Sequence, residues 1–344
     1  MWLSRLMPRS QASTGSGWPK VWLLLVMTAH LPGCVDGSAQ GEYVKRVADV
    51  LNVEPVLGLE SLAAVPTGRM LQIAITPQEI SALQFAGLHR CDLGGLAGER
   101  NSSLGRLASA SQRLGYEMRW QCRAPMCELD WLSQITLNKR GQLRAMMWNA
   151  VIAGPEMATA LTNSQDVLPD AGGLTRLNDL IREVSERRYC DFSQETFEEA
   201  LNRLRLGLPI KHQRQKWAGY RVVLDGVSAL LTENPVCLSG APTVKAERLF
   251  AVFRRHYVQA LQPELNRVLG NDRVWIDALA QLSGRFQPVV PASWVEFYRL
   301  SLDPDSANSE WRRTRLSITR HAEAWQGLFK QCGVDIRSVA GGAS

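Results

Sequence analysis

The stretch that decides the fold is residues 242–263, PTVKAERLFAVFRRHYVQALQP, which a proline bounds at each end. Its apolar residues recur every three or four positions, which is the spacing of one face of an α-helix, whereas its charged residues fall on other faces. The members of this apolar stripe are Ala246, Leu249, Phe250, Phe253, Tyr257, Ala260 and Leu261. The pattern predicts one amphipathic helix of about four turns that ends before Pro263.

The same helical spacing dominates most of the chain on both sides of this stretch. It predicts further helices over about 42–51, 77–86, 104–121, 128–137, 141–152, 174–184, 194–206, 211–231, 294–300 and 311–329, with a short helix from Pro263 and a separate one that Asp272 caps and Gly284 ends. Residues 52–77 differ, because three prolines and one alternating apolar run indicate extended chain with at most one brief strand. These residues are Pro55, Pro66, Pro77, Leu71, Ile73 and Ile75. The predicted fold class is mostly α, an irregular multi-helix bundle with a proline-rich extended N-terminal segment.

Residues 21–34, VWLLLVMTAHLPGC, follow a segment with three basic residues and no acidic one. This arrangement is typical of an export signal, and its apolar run is shorter than the roughly 20 residues that a membrane-spanning helix needs. Leu31-Pro32-Gly33-Cys34 resembles the lipobox of bacterial lipoproteins, in which the cysteine becomes the lipidated N-terminus. We therefore predict a signal peptide at 1–33, a tether at 34–41, an α-helical periplasmic domain at 42–335 and a disordered tail at 336–344.

The lipobox resemblance implies that Cys34 carries several acyl chains, which hold a protein on a membrane where one chain binds only marginally. Val35 follows the cysteine, and by resemblance this favours the outer membrane over the inner membrane, where lipoproteins often have Asp at that position. The predicted location is the cell envelope, with the domain facing the periplasm. An ordinary secretory signal with an incidental cysteine is the alternative, and Met7 is an alternative start to Met1.

The charge balance gives no support for a nucleic-acid partner. The formal net charge of +6 falls to +3 once residues 1–33, which hold three basic residues and no acidic one, are removed. No basic helix or motif of a nucleic-acid module occurs. Eight tryptophans remain, and we expect them to pack in the core rather than line a ligand-stacking cleft. They are Trp120, Trp131, Trp148, Trp217, Trp275, Trp294, Trp311 and Trp325.

An even number of cysteines after Cys34 predicts disulfides in an oxidising compartment, although the spacing does not rank their connectivities. Cys122 and Cys127 could close a small loop, or each could join separate helices. Zinc binding is the competing interpretation, but there is no second close pair and the histidines are scattered, so we expect neither metal nor cofactor. The residues concerned are Cys91, Cys122, Cys127, Cys190, Cys237 and Cys332, and His89, His212, His256 and His321.

Residues 88–113, LHRCDLGGLAGERNSSLGRLASASQR, resemble the signature of DUF3080, a proteobacterial lipoprotein family of unknown function. The resemblance is to a C-x-L pair followed by an ERNS-x-LG core. The matching residues are Cys91, Leu93, Glu99, Arg100, Asn101, Ser102, Leu104 and Gly105. The lipobox, an early helix at Tyr43–Leu51 and a proline-rich segment agree in order. The resemblance implies location and fold, and it transfers no catalytic residue.

Glu99, Arg100 and Asn101 are the densest polar group beside an apolar helix, and they suggest a small polar site. The glutamate could act as a general acid or base, and the arginine could clamp an anionic group. The structural alternative is a Glu–Arg ion pair, with Asn101 or Ser102 capping the next helix.

A cluster of basic residues spans the end of one predicted helix and the start of the next. We expect these side chains on a solvated surface, with contact to anionic lipids or acidic envelope polymers as the lesser alternative. They are Arg203, Arg205, Lys211, Arg214, Lys216 and Arg221.

No motif of a hydrolase or a nucleotide-binding protein occurs. The leading hypothesis is therefore a non-enzymatic envelope lipoprotein that is bound to the membrane through Cys34 and acts as a binding or structural accessory module. Its partner would be an envelope protein or glycan. The alternatives are an envelope glycan or lipid hydrolase that uses Glu99, and a carrier of an apolar ligand inside the bundle.

Overall fold

The computed structural model describes residues 39–55, 57–58, 60–237 and 240–335. The predicted signal peptide, the lipidation site Cys34 and the tail 336–344 lie outside the described residues.

The described chain is mainly helical and contains no β-strand, which confirms the predicted fold class. The helices are α1 Ala39–Leu51, α2 Gly68–Leu71, α3 Ala82–Gly87, α4 Leu93–Asn101, α5 Ser103–Leu107, α6 Ala110–Arg123, α7 Leu132–Gly141, α8 Leu143–Val151, α9 Pro155–Thr162, α10 Gly172–Ser185, α11 Gln194–Gly207, α12 Ile210–Glu233, α13 Val244–Val252, α14 Gln262–Gly284, α15 Ala292–Ser301 and α16 Glu310–Gln331. Short 3₁₀ turns lie at Leu88–Cys91, Ala124–Met126 and Tyr189–Asp191. None of the helices in the described part of the chain combines the length and the apolar character that crossing a membrane requires.

The stretch 242–263 forms a helix whose geometry changes midway. After α13, Phe253–Leu261 is a π-helix, and α14 follows without a break. Because π turns are wider than α turns, the buried positions Phe253, Tyr257 and Leu261 are four residues apart, and Ala260 is exposed. The predicted end before Pro263 and the predicted helix start at Asp272 are wrong, because α14 runs unbroken from Gln262 to Gly284. The wider turns that precede this proline make room for its ring, which would clash with a carbonyl four residues earlier in a regular α-helix.

The extended segment between α2 and α3 has no neighbouring strand, and two side-chain amides take the place of one. The Asn149 amide accepts from the Ile73 N–H at 2.9 Å and donates to the Ile73 carbonyl at 2.7 Å. Gln142 makes the same pair of hydrogen bonds to Thr76, at 2.6 and 3.0 Å. Since these bonds satisfy the backbone groups at both points, the segment stays extended without entering a sheet.

Two buried arginines fix the earlier part of the extended segment. Arg214 donates to Glu310 at 2.7 Å and to the Ala63 carbonyl at 2.6 Å, and Arg221 donates to Glu60 at 2.8 Å. Both arginines are 1% exposed, so their expected position on a solvated surface is wrong. Each has a carboxylate partner far away in sequence, and pairing of this kind allows a charge to be buried.

Buried apolar side chains form three clusters within the described residues. The first cluster lies mainly among α6, α8–α12, α14 and α15, and the second among α1, α12, α13, the π-helix, α14 and α16. The third lies around α4, α6 and α7. Of the tryptophans, Trp148, Trp217, Trp275, Trp294 and Trp325 are fully buried, in agreement with core packing.

All six cysteines that follow Cys34 form disulfides, which confirms that prediction. The pairs are Cys91–Cys127, Cys122–Cys190 and Cys237–Cys332. The alternative of a small loop closed by Cys122 and Cys127 is wrong, because each of these cysteines joins a different part of the chain.

The helix predicted over 104–121 is two helices. Ser109 and Gln112 form a capping box that starts α6, and α5 ends at Leu107. Leu104 and Leu107, two apolar residues at the start of the predicted helix, are each 82% exposed. The capping box breaks the register, so the two leucines do not continue the buried face of α6.

Candidate functional site

The ERNS segment forms a tight corner between α4 and α5. Ser102 is the N-cap of α5, since its hydroxyl accepts the Gly105 N–H at 3.0 Å and donates to the Glu99 carbonyl at 2.7 Å. The Arg100 guanidinium donates to the Gly105 carbonyl at 3.1 Å. A Cβ on Gly105 would lie 2.2 Å from the Glu99 carbonyl oxygen, so the corner requires glycine at this position.

The corner separates the three polar residues that the sequence suggested as one site. Arg100 and Asn101 line a cleft that α4 forms with α6, whereas Glu99 is absent from its lining. Glu99 instead pairs with Arg119 at 3.2 Å and borders a shallow groove with His89 and Asp92. The Glu–Arg pair of the structural alternative is thus Glu99 with Arg119, and the capping residue is Ser102 rather than Asn101.

The cleft, which we call the α4–α6 cleft, has a volume of about 220 Å³. Residues 75–80 of the extended segment form one wall, and α7 and α8 close the base. The amide clamps on Ile73 and Thr76 therefore also hold the wall of the cleft in place. The apolar lining residues are Ile75, Pro77, Ile80, Leu96, Ala97, Trp120, Ile135 and Met146.

Two arginines give the cleft its charge. Arg113 donates to the Ala108 carbonyl at 2.9 Å and more weakly to the Arg106 carbonyl at 3.3 Å, while the Arg100 guanidinium donates to the Gly105 carbonyl alone among the described residues. Neither has a carboxylate within ion-pair distance among the described residues. Burial and the nearby Arg113 charge lower the pKa of Arg100, and Tyr116 and Glu117 only partly oppose this shift.

A buried glutamate lies deeper in the cleft. Glu117 is 5% exposed, pairs with Lys139 at 2.7 Å and accepts from the Gln121 amide at 3.0 Å. The Lys139 ammonium also lies 4.8 Å from the centre of the Trp120 ring, so it is held on two sides. With Arg100 and Arg113 added to this neutral ion pair, the cleft carries an excess of two positive charges.

Sequence reasoning missed Arg113, Glu117 and Lys139. Arg113 and Glu117 are four residues apart and share one face of α6. The Ser109–Gln112 capping box marks the start of α6 in the sequence, and a helix that begins there has Arg113 and Glu117 on the same face. Lys139 comes from a separate helix, and no local pattern indicates that it meets Glu117.

Within the described residues, no group of three or more His, Cys, Asp or Glu side chains is placed to hold a metal ion.

A profile of the family described as "Protein of unknown function (DUF3080)" matches residues 40–336 of the chain. Comparisons with curated proteins and with solved structures found no match.

Proposed function

The chain belongs to the DUF3080 family, and from this premise we propose that it is a bacterial envelope lipoprotein whose α4–α6 cleft binds an anionic group on an apolar stem. The observation that carries the binding role is the pair of arginines, Arg100 and Arg113, in a cleft whose other charged side chains, Glu117 and Lys139, neutralise each other. The lipid anchor at Cys34 rests on the lipobox resemblance, and it would place the domain on the periplasmic face of the outer membrane.

The anchor can be tested without reference to the cleft. Cys34→Ser should move the full-length protein from the membrane fraction to the soluble fraction, because it removes the side chain to which the proposed acyl anchor is attached. Mass spectrometry of the N-terminal peptide of the wild type should show the added acyl mass. A wild-type N-terminal peptide without acyl mass, recovered from soluble protein, would remove the anchor from the proposal.

The chemistry of the cleft favours one class of ligand. A carboxylate or phosphate can accept hydrogen bonds from both guanidinium groups, and bonds of this charge-assisted kind are stronger than neutral ones. The apolar lining would cover an alkyl chain and exclude water from it. A fatty-acid or phospholipid head with the start of its chain has both features, so we infer an anionic amphiphile of the envelope as the ligand.

Isothermal titration calorimetry tests this assignment by measuring the affinity for decanoate and for decyltrimethylammonium, which serves as the cationic control. Arg113→Gln should weaken decanoate binding about tenfold, since it removes one charge-assisted contact worth about 1.5 kcal/mol. Arg119→Gln is the matched control, because Arg119 lies on the same helix and pairs with Glu99 outside the cleft. Equal binding of both amphiphiles, or an equal loss in both variants, would contradict the proposed cleft.

The hydrolase hypothesis receives no support from the geometry of Glu99, whose carboxylate is half exposed and paired with Arg119. Glu99→Gln should leave decanoate binding unchanged and alter the free energy of unfolding by less than about 1 kcal/mol, as for other exposed ion pairs. Trp120 lines the α4–α6 cleft, whereas the fully buried tryptophans described above pack in the core. The hypothesis of a carrier for an apolar ligand therefore applies to this cleft.

A further inference from the structure

A second polar cavity lies between α12 and α14, and it contains a fully buried carboxylate. Asp272 accepts the indole N–H groups of Trp217 at 2.8 Å and Trp275 at 2.9 Å, one on each oxygen. Its residue surface is 0% exposed, and among the described residues no lysine, arginine or histidine lies within ion-pair distance of it. A buried carboxylate without a counter-ion is costly, so its negative charge is available to a cation that enters the cavity.

The cavity beside Asp272 has a volume of about 230 Å³, enough for a ligand of several non-hydrogen atoms. Gln213 lines it and is 3% exposed. The side-chain amide of Gln213 makes no hydrogen bond within the described part of the chain, and its polar atoms keep a small accessible surface. Gln213 therefore presents an unused carbonyl acceptor and an unused amide donor to the cavity.

A second carboxylate borders the same cavity. Glu264 lies two turns before Asp272 on α14 and accepts the Tyr220 hydroxyl at 2.7 Å, and it has no ion-pair partner in the described ranges. The lysine on the rim, Lys216, is held by Asp166 at 2.9 Å. The cavity lining contains three carboxylates and two basic side chains, so the negative charges exceed the positive ones by one. The carboxylates are Asp166, Glu264 and Asp272, and the basic side chains are Lys216 and the exposed Arg267.

We propose that this cavity binds a small alkylammonium ligand, with the Glu264 carboxylate and the Gln213 carbonyl as its contacts and the buried Asp272 charge attracting it through space. An ammonium group carries only donors, so it would pair with the Gln213 carbonyl and with the Glu264 oxygen that does not accept the Tyr220 hydroxyl. Two carboxylates on one cavity favour a diamine over a monoamine. This site is separate from the basic α4–α6 cleft, and it would select a ligand of opposite charge.

Thermal unfolding of the full chain at about pH 8, where Asp272 is ionised, provides the test. Saturating putrescine should raise the Tm by about 4 °C, butylamine should raise it less, and succinate should leave it unchanged. Asp272→Asn and Gln213→Leu should each weaken putrescine binding about tenfold. Glu264→Gln, which keeps an acceptor for Tyr220, should act in the same direction.

The matched control is Asp277→Asn, because Asp277 lies on the same helix but pairs with Arg273 at 2.8 Å and does not line the cavity. It should leave putrescine binding unchanged. The proposal is overturned if putrescine causes no Tm shift, if succinate causes the same shift, or if the shift persists in all three cavity variants. Because the three cavity variants change different elements or different groups, misfolding of one leaves the other two decisive.

Discussion

At the scale of single residues, Asp272 should destabilise the fold at neutral pH. Burial raises its pKa to about 6 from an ordinary value of 3.8, and the two indole hydrogen bonds only partly oppose this shift. The folded state therefore holds the proton more tightly than the unfolded state, so the penalty grows as pH rises between about 4 and 6. At neutral pH and above it amounts to about 3 kcal/mol.

We expect Asp272→Asn to become more favourable relative to wild type as pH rises. Urea unfolding at pH values near 4 and near 8 should show the difference in unfolding free energy move by about 3 kcal/mol in favour of the variant. Exposed carboxylates titrate in both proteins and cancel in the comparison. A difference that stays constant with pH would show that Asp272 has an ordinary pKa.

His321 should behave in the opposite direction. Burial lowers its pKa to about 4, and only the hydrogen bond to the Leu224 carbonyl opposes the shift. Because that carbonyl can only accept, Nδ1 carries the proton, and Nε2 accepts from Tyr43 at 2.9 Å. The unfolded state takes up a proton more readily, so the stability that neutral His321 contributes is lost as pH falls from about 6.5 through 4.

His321→Gln tests this contribution. Wild type should be more stable than the variant at pH 7, and the gap should close by about 3 kcal/mol as the pH is lowered to about 4. Far-UV circular dichroism during urea titration measures both proteins under the same conditions. A gap that widens on acidification would contradict a neutral buried histidine.

The buried charges mark the limit of what single positions in the sequence could predict. Arg214 and Arg221 have the composition of a surface cluster, and only their partners Glu310 and Glu60 make them internal. These partners are 96 and 161 residues away. No local pattern indicates a contact at such separation, whereas the apolar positions Trp217 and Leu224 of the same helix followed from their spacing.

At the scale of elements, the corner between α4 and α5 explains the glycine of the ERNS-x-LG motif. Gly105→Ala would place a Cβ 2.2 Å from the Glu99 carbonyl oxygen and 2.5 Å from that of Arg100, and both are backbone atoms that cannot turn aside. The variant should lose about 3 kcal/mol of unfolding free energy. Gly98→Ala, which meets nothing within 4 Å in α4, should instead gain up to about 1 kcal/mol.

Chemical denaturation of the two glycine variants beside wild type separates the corner from a general effect of alanine. Equal changes in both would show that the close approach at Gly105 does not matter. The same experiment bears on the cleft, because a displaced corner moves Arg100. Decanoate affinity should therefore fall in Gly105→Ala and remain unchanged in Gly98→Ala.

Helices were predictable where one face stays apolar, and their ends were predictable less often. α12 and α16 matched because their stripes are continuous from Trp217 to Leu231 and from Trp311 to Phe329. The π-helix was missed, since a spacing of four is also a helical spacing and does not reveal wider turns. Of the polar group suggested from the sequence, Arg100 and Asn101 line the α4–α6 cleft and Glu99 does not, and the residues that complete the cleft depend on how α6 and α7 pack.

At the scale of the whole molecule, α12 links two of the apolar clusters, and the disulfides reinforce different ones. Cys237–Cys332 lies in the second cluster and both of its cysteines are buried. Cys91–Cys127 borders the third cluster, whose members Leu96, Ala97 and Trp120 line the α4–α6 cleft. The cysteine count predicted that disulfides form, but connectivity is a property of the packed bundle and could not follow from spacing.

The two disulfides should therefore differ in their contribution to stability. Cys237–Cys332 closes a span of 95 residues and Cys91–Cys127 a span of 36. The loss of chain entropy in the unfolded state then favours the first by about 1 kcal/mol, within contributions of about 4 to 5 kcal/mol each. Urea unfolding of the Cys237→Ala/Cys332→Ala and Cys91→Ala/Cys127→Ala double variants measures this difference.

Under full reduction the wild type should lose more stability than either variant, because it has more disulfide bonds to lose. A larger loss from removing Cys91–Cys127 would show that local packing around the cleft, rather than the length of chain closed, determines what the disulfides stabilise.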